Sequence, residues 1–519
     1  MNTVREFYKQ SPFYWIWVTI TTALCYGFTL TNFTIGIDDE ALYNSFWRGG
    51  FLAQGRWGHI PLQRIFNSYL FLPFWRNFLA LLLIVFGLTF ICGLFRKYSN
   101  NYFNDKASTI FTCLTISFPF IAHLFIFTVM TIELGFILVF IGFALLCFAK
   151  WAIEKKTFRY GILGGISLGY ATAFAETAIV FFLIGGFSLL LVAYIFNIDE
   201  ENISLKLSLL ALCKLAGILF TGVIIWFLGG TILQRIFSID ATGYVGGHVW
   251  HDTSSLMGYL SSVVRFLVYL PTTRIHSSMS IIDWLLVSVS ITIIVIGIIY
   301  AFVRKRISFF LVGLGAVLSS YGMHILLGQA HPLYRITITF SILVGFCFAL
   351  LYILLNNIPW KRFKLKYIMV FLVIWLIFYN SRIMNQVFFL DYQRYQHDIM
   401  VMHTIIHDLD GLQNEMPILF VGMIPTHLSG DEVAGNTLYN WDRMNTPRQE
   451  LHSRRIFRFF EMHGFPIEHP GTVDEERLQY YLIGMENWPK DGYIRQTEYF
   501  VIVKLGESFH ELSSTLTEQ

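Results

Sequence analysis

Charged residues are scarce in this chain, and their scarcity excludes an ordinary soluble protein. Only 14% of the 519 residues are Asp, Glu, Lys or Arg, whereas 55% are hydrophobic and 17% are aromatic. Soluble domains carry roughly 25% charged residues. Long apolar runs are favoured where lipid is the solvent, because a bilayer offers no water to polar side chains. The composition therefore indicates an integral membrane protein.

Cysteine is also sparse, and its placement excludes a cysteine metal centre. All six cysteines lie in apolar runs, at spacings that fit no metal site. No nucleotide-binding glycine motif is present in the C-terminal region. We therefore expect no metal and no cofactor. The loop residues His248, His251 and Asp252 give only a weak signal for a metal.

Eleven apolar runs of span length predict a polytopic α-helical membrane protein with about eleven transmembrane helices. The first run lacks a small-residue cleavage site, so we interpret it as a retained span and not as a signal peptide. The runs lie near residues 12–33, 73–95, 108–128, 131–149, 160–176, 178–196, 207–229, 281–303, 307–327, 333–355 and 367–383.

The distribution of Lys and Arg among the loops predicts the orientation of these spans. One alternate set of loops holds the basic clusters near residues 96–106, 150–159 and 304–306. Short loops rich in Lys and Arg stay in the cytoplasm, so the N-terminus is expected there. An odd number of spans then places the C-terminal domain outside, which is the periplasm if the host is a bacterium. The outer loops are 34–72 and 230–280.

The end of the chain differs from the rest in its charge. Residues 391–519 carry 20 acidic and 10 basic residues, which leaves 14 acidic and 27 basic residues before them. We divide the chain into a membrane body, residues 1–383, and a small α/β domain, residues 384–519. Apolar spacing in this domain predicts strands over 416–422 and 499–504 and helices over 392–411, 447–463 and 474–483.

Three consecutive carboxylates, Asp38, Asp39 and Glu40, follow the first span. Ionisable residues at a membrane edge are costly, which makes each one a candidate for function. Residues 40–48 predict a short helix closed by Gly49-Gly50, with one aspartate as its N-cap. A cap explains one carboxylate and not three. A partly desolvated carboxylate suits a general base that takes a proton from a sugar hydroxyl.

The segment Gly55-Arg56-Trp57-Gly58-His59 supplies candidate substrate contacts. Arg56 can bind a phosphate through two parallel hydrogen bonds. Trp57 offers a flat ring to a sugar, or anchors the chain at the membrane interface. His59 is a candidate contact as well, although a structural hydrogen bond is the simpler interpretation. This segment therefore predicts a site that binds a sugar and a phosphate.

Four further residues belong to the predicted substrate site. Glu133 and Glu176 lie at turns between spans on the outer face, where each can bind sugar hydroxyls or be solvated. Arg274 and Arg335 lie on short polar turns beside apolar spans. Basic residues are less frequent on the outer face, so these arginines need anionic partners. A polyprenyl phosphate is the functional interpretation, and a lipid headgroup is the alternative.

The carboxylate cluster after the first span, followed by Gly55-Arg56-Trp57, resembles the Gtr family of O-antigen glucosyltransferases. These serotype-converting enzymes, often carried by bacteriophages, are polytopic glycosyltransferases of the GT-C type. The resemblance covers the membrane body in architecture and is specific over residues 38–59. It implies a GT-C-like fold with Asp39, in the Asp39-Glu40 pair, as the general base. Asp38 is an additional carboxylate, so the choice between the two aspartates stays open.

The same resemblance implies the substrates and the compartment. The donor would be undecaprenyl-phosphate glucose, the acceptor a sugar of the lipopolysaccharide O-antigen, and the location the periplasmic side of the bacterial inner membrane. The lipid bilayer is then a further partner, and no nucleic acid is expected. Two alternatives stay open: a transporter or flippase of lipid-linked glycans, and a polymerase of lipid-linked glycans.

Overall fold

The computed structural model describes most of the membrane body and parts of the C-terminal region. The described residues are 11–35, 39, 48–65, 72–196, 204–241, 257–258, 261, 280–323, 337–357, 365–409, 416–422, 424, 449–471 and 473–506. The predictions made for Asp38, Glu40, Arg274 and Arg335 lie outside these residues.

Long apolar helices form the body. A helix pairs its backbone polar groups internally, which a bilayer requires. Local residues fix where some helices begin: the Tyr14 N–H donates to Ser11 Oγ over 3.1 Å, and Pro73 occupies a first-turn position. The helices are α1 (Pro12–Thr31), α2 (Arg48–Ala53), α3 (His59–Ile65), α4 (Pro73–Tyr98), α5 (Asp105–Ile116), α6 (Ala122–Phe125), α7 (Thr131–Ala152), α8 (Arg159–Thr172), α9 (Thr177–Phe196), α10 (Leu205–Ile236), α11 (Ser280–Val303), α12 (Ser308–Ser320), α13 (Phe340–Asn357) and α14 (Leu365–Leu409).

The described helices confirm a polytopic membrane protein. Seven of them are long and apolar enough to cross a bilayer, or eight if the pair Asp105–Ile116 and Pro119–Phe125, bent by 46°, is one span. The predicted spans near 160–176, 307–327 and 333–355 correspond to α8, α12 and α13, which are not among the seven. The figure of eleven spans therefore stays a prediction.

The connections between helices meet at two opposite ends of the bundle. At one end, Arg96 and Lys97 pair with Asp105 and Glu154 at N–O distances of 2.7 and 2.5 Å. The other end, called the Asp39 end below, contains Asp39, the turn before α7 and the start of α4. The basic loops after α4 and α7 thus meet at one end, as alternate loops should. Which end faces the cytoplasm stays a prediction.

Small residues bring α8 and α10 into close contact. A Cβ atom at Gly165 would lie 2.4 Å from Cγ2 of Thr221, and one at Gly169 would lie 2.9 Å from Cβ of Ile225. Glycines of this kind let membrane helices approach closely. The contact fixes the part of α10 that carries Trp226, which reaches the Asp39 end.

The last span and the first helix of the C-terminal region are one continuous helix. Helix α14 runs for 45 residues, Leu365–Leu409. The sequence predicts a span over 367–383 and a separate helix over 392–411. No proline or glycine lies between them, so the polar residues after 383 continue the helix beyond the apolar segment. The boundary at residue 383 thus falls within a helix, and the division into domains stays a prediction.

The C-terminal region contains a small three-stranded sheet. Its strands are β1 (Ile418–Val421), β2 (Ile494–Gln496) and β3 (Val501–Lys504), in the order β1-β3-β2. Strands β1 and β3 are parallel, with Ile418 opposite Val501, and β2 is antiparallel to β3. Helices α15 (Gln449–Met462) and α16 (Glu475–Leu482) accompany the sheet. All four residues of β1 and of β3 are buried, as the apolar runs of these strands predict.

A hydrophobic cluster joins this region to the Asp39 end of the body. We call it the body–tail cluster. The body contributes Ile35, Phe51 and Phe127, each less than a tenth exposed. The C-terminal region contributes buried residues of α14 and α15, among them Val401, Met402, Ile405, Phe459 and Phe460. The C-terminal region therefore packs against the segments that carry the candidate site.

Candidate active site

The chain reverses at Gly55, directly before the candidate substrate contacts. Gly55 has a φ of +80°, in the left-handed region that glycine adopts readily. The predicted helix over 40–48 lies outside the described residues apart from Arg48, and Gly49 and Gly50 lie within the helix Arg48–Ala53. Neither of these two has a positive φ, so neither ends the helix. The reversal at Gly55 turns the following residues toward α8 and α10.

Two tryptophans hold this segment against α10. The Trp57 indole N–H donates to the Trp226 carbonyl over 2.9 Å, and the Trp226 indole N–H donates to the Gly55 carbonyl over 3.0 Å. Trp57 is 7% exposed, and a Cβ at Gly229 would come within 2.8 Å of its ring. Trp57 therefore has a packed position in the protein, and its contact with a sugar stays a prediction.

Arg56 and Glu176 form a two-point ion pair. Arg56 Nη2 lies 3.1 Å from Glu176 Oε2, and Arg56 Nε lies 3.4 Å from Glu176 Oε1. Their side chains are 18% and 13% exposed. The pair joins the Gly55–His59 segment to the turn between α8 and α9. It holds a guanidinium near the surface of the Asp39 end, where an anionic substrate group can reach it.

His59, Glu133 and Arg76 form a second charged group, which is more deeply buried. His59 Nδ1 lies 3.1 Å from Glu133 Oε1, and Arg76 Nη2 lies 3.3 Å from the same oxygen. The side chains of His59 and Glu133 are 2% and 4% exposed. Glu133 is therefore not a solvated hairpin residue. Arg76 balances its charge, because a buried carboxylate needs a partner.

The turn before α7 connects Asp39 to this group. The backbone N–H of Thr128 donates to Asp39 Oδ2 over 3.2 Å, and Arg76 Nε donates to the Thr128 carbonyl over 3.1 Å. Asp39 has no exposed surface. The connected residues Asp39, Thr128, Arg76, Glu133 and His59 are called the carboxylate–histidine network below. Three predicted site residues, Asp39, Glu133 and His59, thus belong to one network.

A charged group on α14 was not predicted from the sequence. Asp391, Arg394 and Asp398 are each no more than 5% exposed. The Thr34 hydroxyl donates to Asp391 Oδ2 over 2.5 Å, which ties α14 to the segment after α1. Charges at i, i+3 and i+7 share one helix face, and that spacing is the signal that could have revealed them. The sequence prediction begins a separate helix at residue 392, so it does not group Asp391 with Arg394 and Asp398.

Two sets of predicted residues have no structural description here. Asp38, Glu40, Arg274 and Arg335 stay predictions, as do the weak metal candidates His248, His251 and Asp252. Among the described residues there is no group of three or more His, Cys, Asp or Glu side chains that could hold a metal ion.

The fold and site define a polytopic membrane protein with an ionisable network buried at one end of its helix bundle. The model of the glucosyl transferase GtrII family matches residues 27–377, which is more than half of the chain, and the protein belongs to that family. It is therefore a membrane glucosyltransferase. No similar curated protein and no similar solved structure was found.

Proposed function

We propose that this protein transfers a glucosyl residue from undecaprenyl-phosphate glucose to a sugar of the lipopolysaccharide O-antigen. The reaction takes place at the periplasmic face of the bacterial inner membrane and alters the serotype. Membership of the glucosyl transferase GtrII family supports glucose as the transferred sugar. It also favours a transferase over a transporter or polymerase. The observation that carries the proposed site is Asp39, a carboxylate without exposed surface inside a charged network.

The proposed reaction needs one base and one group that balances the charge of the leaving phosphate. Asp39 takes the proton from the acceptor hydroxyl while the oxygen of that hydroxyl attacks the anomeric carbon of the glucosyl unit. The bond from that carbon to the phosphate oxygen breaks, and polyprenyl phosphate leaves with the electron pair. Direct attack inverts the anomeric configuration. A positioned base contributes about 10²–10⁴-fold to such a step.

Arginines are the proposed phosphate ligands. Arg56 presents a planar donor group at the rim of the Asp39 end, and its pairing with Glu176 holds it there. Arg274 and Arg335 are proposed to bind the same polyprenyl phosphate. Donors that stabilise charge on a leaving group act more strongly in transition states than in ground states. Asp38 and Glu40 are proposed to support the catalytic carboxylate, Trp57 and Glu176 to contact the substrate, and Glu133 to act through His59, with which it is paired.

The test of the proposed base compares Asp39→Asn with Asp38→Asn. Each variant is reconstituted in liposomes with undecaprenyl-phosphate glucose and O-antigen acceptor, and the glucosylated product is measured. Asp39→Asn should lower transfer by at least about 10²-fold, because an amide cannot accept the proton. Asp38→Asn should retain most of the transfer. The assignment is lost if Asp39→Asn folds and transfers at the rate of the unmodified protein.

A further inference from the structure

Among the residues that the structure describes, one ring nitrogen of His59 has no hydrogen-bond partner. Its Nε2 atom is buried and unpaired, although the side chain is only 2% exposed. A buried polar atom without a partner is destabilising, because its lost hydration is not replaced. Proteins rarely leave such an atom unpaired, so each case needs an explanation. Within the carboxylate–histidine network, this atom is the place where a ligand can complete the hydrogen bonding.

The network also fixes what this nitrogen can bind. Glu133 lies beside both Arg76 and His59, and an ionised carboxylate only accepts hydrogen bonds. His59 Nδ1 therefore carries the hydrogen that it donates to Glu133. In the neutral imidazole, Nε2 is then an acceptor. It matches a hydroxyl group, which can donate a hydrogen bond.

The surroundings of His59 suit a sugar. The Phe51 ring stacks on the imidazole at a centroid distance of 3.9 Å and an interplanar angle of 2°, and the Phe174 ring meets it edge-on at 6.1 Å. Ligand sites combine apolar and aromatic walls with a few placed polar atoms. A sugar hydroxyl that reaches Nε2 would therefore lie beside two aromatic rings.

We infer that His59 is a specificity-determining residue, which accepts a hydrogen bond at Nε2 from a hydroxyl of the transferred glucosyl unit. This inference rests on the proposed donor. Glu133 and Arg76 act as positioning residues, since they fix the ring and its tautomer. The family match gives glucose as the transferred sugar and leaves the acceptor open, so the test uses analogues of the glucosyl unit.

Two variants test the roles of the two His59 ring nitrogens separately. In His59→Asn the amide nitrogen replaces Nδ1, so the contact with Glu133 is kept and Nε2 is lost. In His59→Gln the amide lies near the Nε2 position, and the Nδ1 contact is lost. Both variants and the unmodified protein are assayed in liposomes with polyprenyl-phosphate glucose and with its monodeoxy analogues. Thermal unfolding in detergent checks that each variant is folded.

The unmodified protein should lose about tenfold in kcat/KM with the analogue that lacks the contacted hydroxyl, as expected for one hydrogen bond. His59→Asn should be about tenfold slower with glucose and lose nothing further with that analogue, whereas His59→Gln should retain part of the discrimination. Equal discrimination by the unmodified protein and His59→Asn would overturn the inference, as would an unmodified protein that treats all analogues alike. Absence of any glucosyl transfer by the unmodified protein would instead reject the proposed donor.

Discussion

At the scale of single residues, the Asp39 end keeps charges in partly or fully buried pairs. Arg56 with Glu176 lies near the surface, whereas Arg76 with Glu133 and His59 lies deeper. In the proposed function, a substrate phosphate exchanges with the Glu176 carboxylate on Arg56. The deep pair holds the histidine ring in place. We therefore propose different roles for the two pairs, phosphate binding for the shallow pair and positioning of His59 for the deep pair.

The Arg56–Glu176 pair gives a stability prediction. Arg56→Ala and Glu176→Ala should each lower the unfolding midpoint, since each removes one half of a partly buried ion pair. The double variant should lose less than the sum of the two, with a coupling of about 0.5–3 kcal/mol. Thermal unfolding of the purified protein in detergent measures all three variants.

The control for this cycle is the exposed pair of Glu486 and Lys490. Their nitrogen and oxygen lie 3.4 Å apart, but their side chains are 58% and 74% exposed. This pair lies in the loop after α16, and exposed ion pairs contribute about 0.2–1 kcal/mol, so the same cycle should be closer to additive there. Additive losses at Arg56 and Glu176 would show that their ion pair does not stabilise the fold.

At the scale of elements, the sequence predicts the helices better than their connections. Apolar runs of span length predict the long helices because each run is local in the chain. The sequence also points to Asp39, His59 and Glu133 as site residues, through the cost of ionisable residues at a membrane edge. It does not show that Arg76 is the partner of Glu133, since that pairing depends on how α4 packs against α7. The sequence also does not show that the last span and the following helix are one continuous helix, α14.

The contact between the Gly55–His59 segment and the turn after α8 gives the next prediction. The Gly58 N–H donates to the Ala173 carbonyl over 3.0 Å. A Cβ at Gly58 would lie 2.8 Å from Cδ1 of Phe174 and 3.0 Å from the backbone carbon of Ala173. Gly58→Ala must therefore shift either the Phe174 ring, which contacts His59, or the segment that carries Arg56 and His59. Glucosyl transfer should fall by at least about tenfold, because displacements near 1 Å can cost about 10²-fold.

The matched control is Gly27→Ala in α1. A Cβ at Gly27 would meet no atom within 4 Å. Alanine is favoured over glycine inside a helix by about 0.5–1 kcal/mol. This variant should therefore keep its activity and unfold at the same or a higher temperature. Full activity in Gly58→Ala would mean that the close contact with Phe174 is not needed for catalysis.

At the scale of the whole molecule, the C-terminal region packs against the part of the chain that matches the family, at the end where the candidate active site lies. The family match ends at residue 377, before Asp391 and before the sheet. Yet Asp391 bonds Thr34, and the body–tail cluster contains Phe51 and Phe127 of the body. The C-terminal region therefore supports the glucosyltransferase body at the end where the candidate active site lies. The sequence predicts the strands of this region, but not the surface on which it packs.

Phe51 links the C-terminal region to the network, and its truncation tests this link. Its ring is 4% exposed, belongs to the body–tail cluster and stacks on His59. Phe51→Ala should lower the free energy of unfolding by about 3–5 kcal/mol, as expected for a buried phenylalanine. It should also reduce glucosyl transfer and speed proteolysis of residues after 409. Limited proteolysis and product formation in liposomes measure these effects.

Phe220→Ala on α10 is the control, because that ring is 70% exposed on a helix classed as a candidate span. Removing a ring with so few protein contacts should leave unfolding, proteolysis and transfer nearly unchanged. If Phe51→Ala is cleaved as slowly as Phe220→Ala and transfers glucose as fast, the C-terminal region does not hold the site through Phe51. If instead Phe51→Ala is cleaved quickly while His59→Asn is cleaved slowly, docking of the region and substrate recognition are separate tasks. Slow cleavage of His59→Asn is the expected result, because the His59 imidazole pairs with Glu133, which lies within the body.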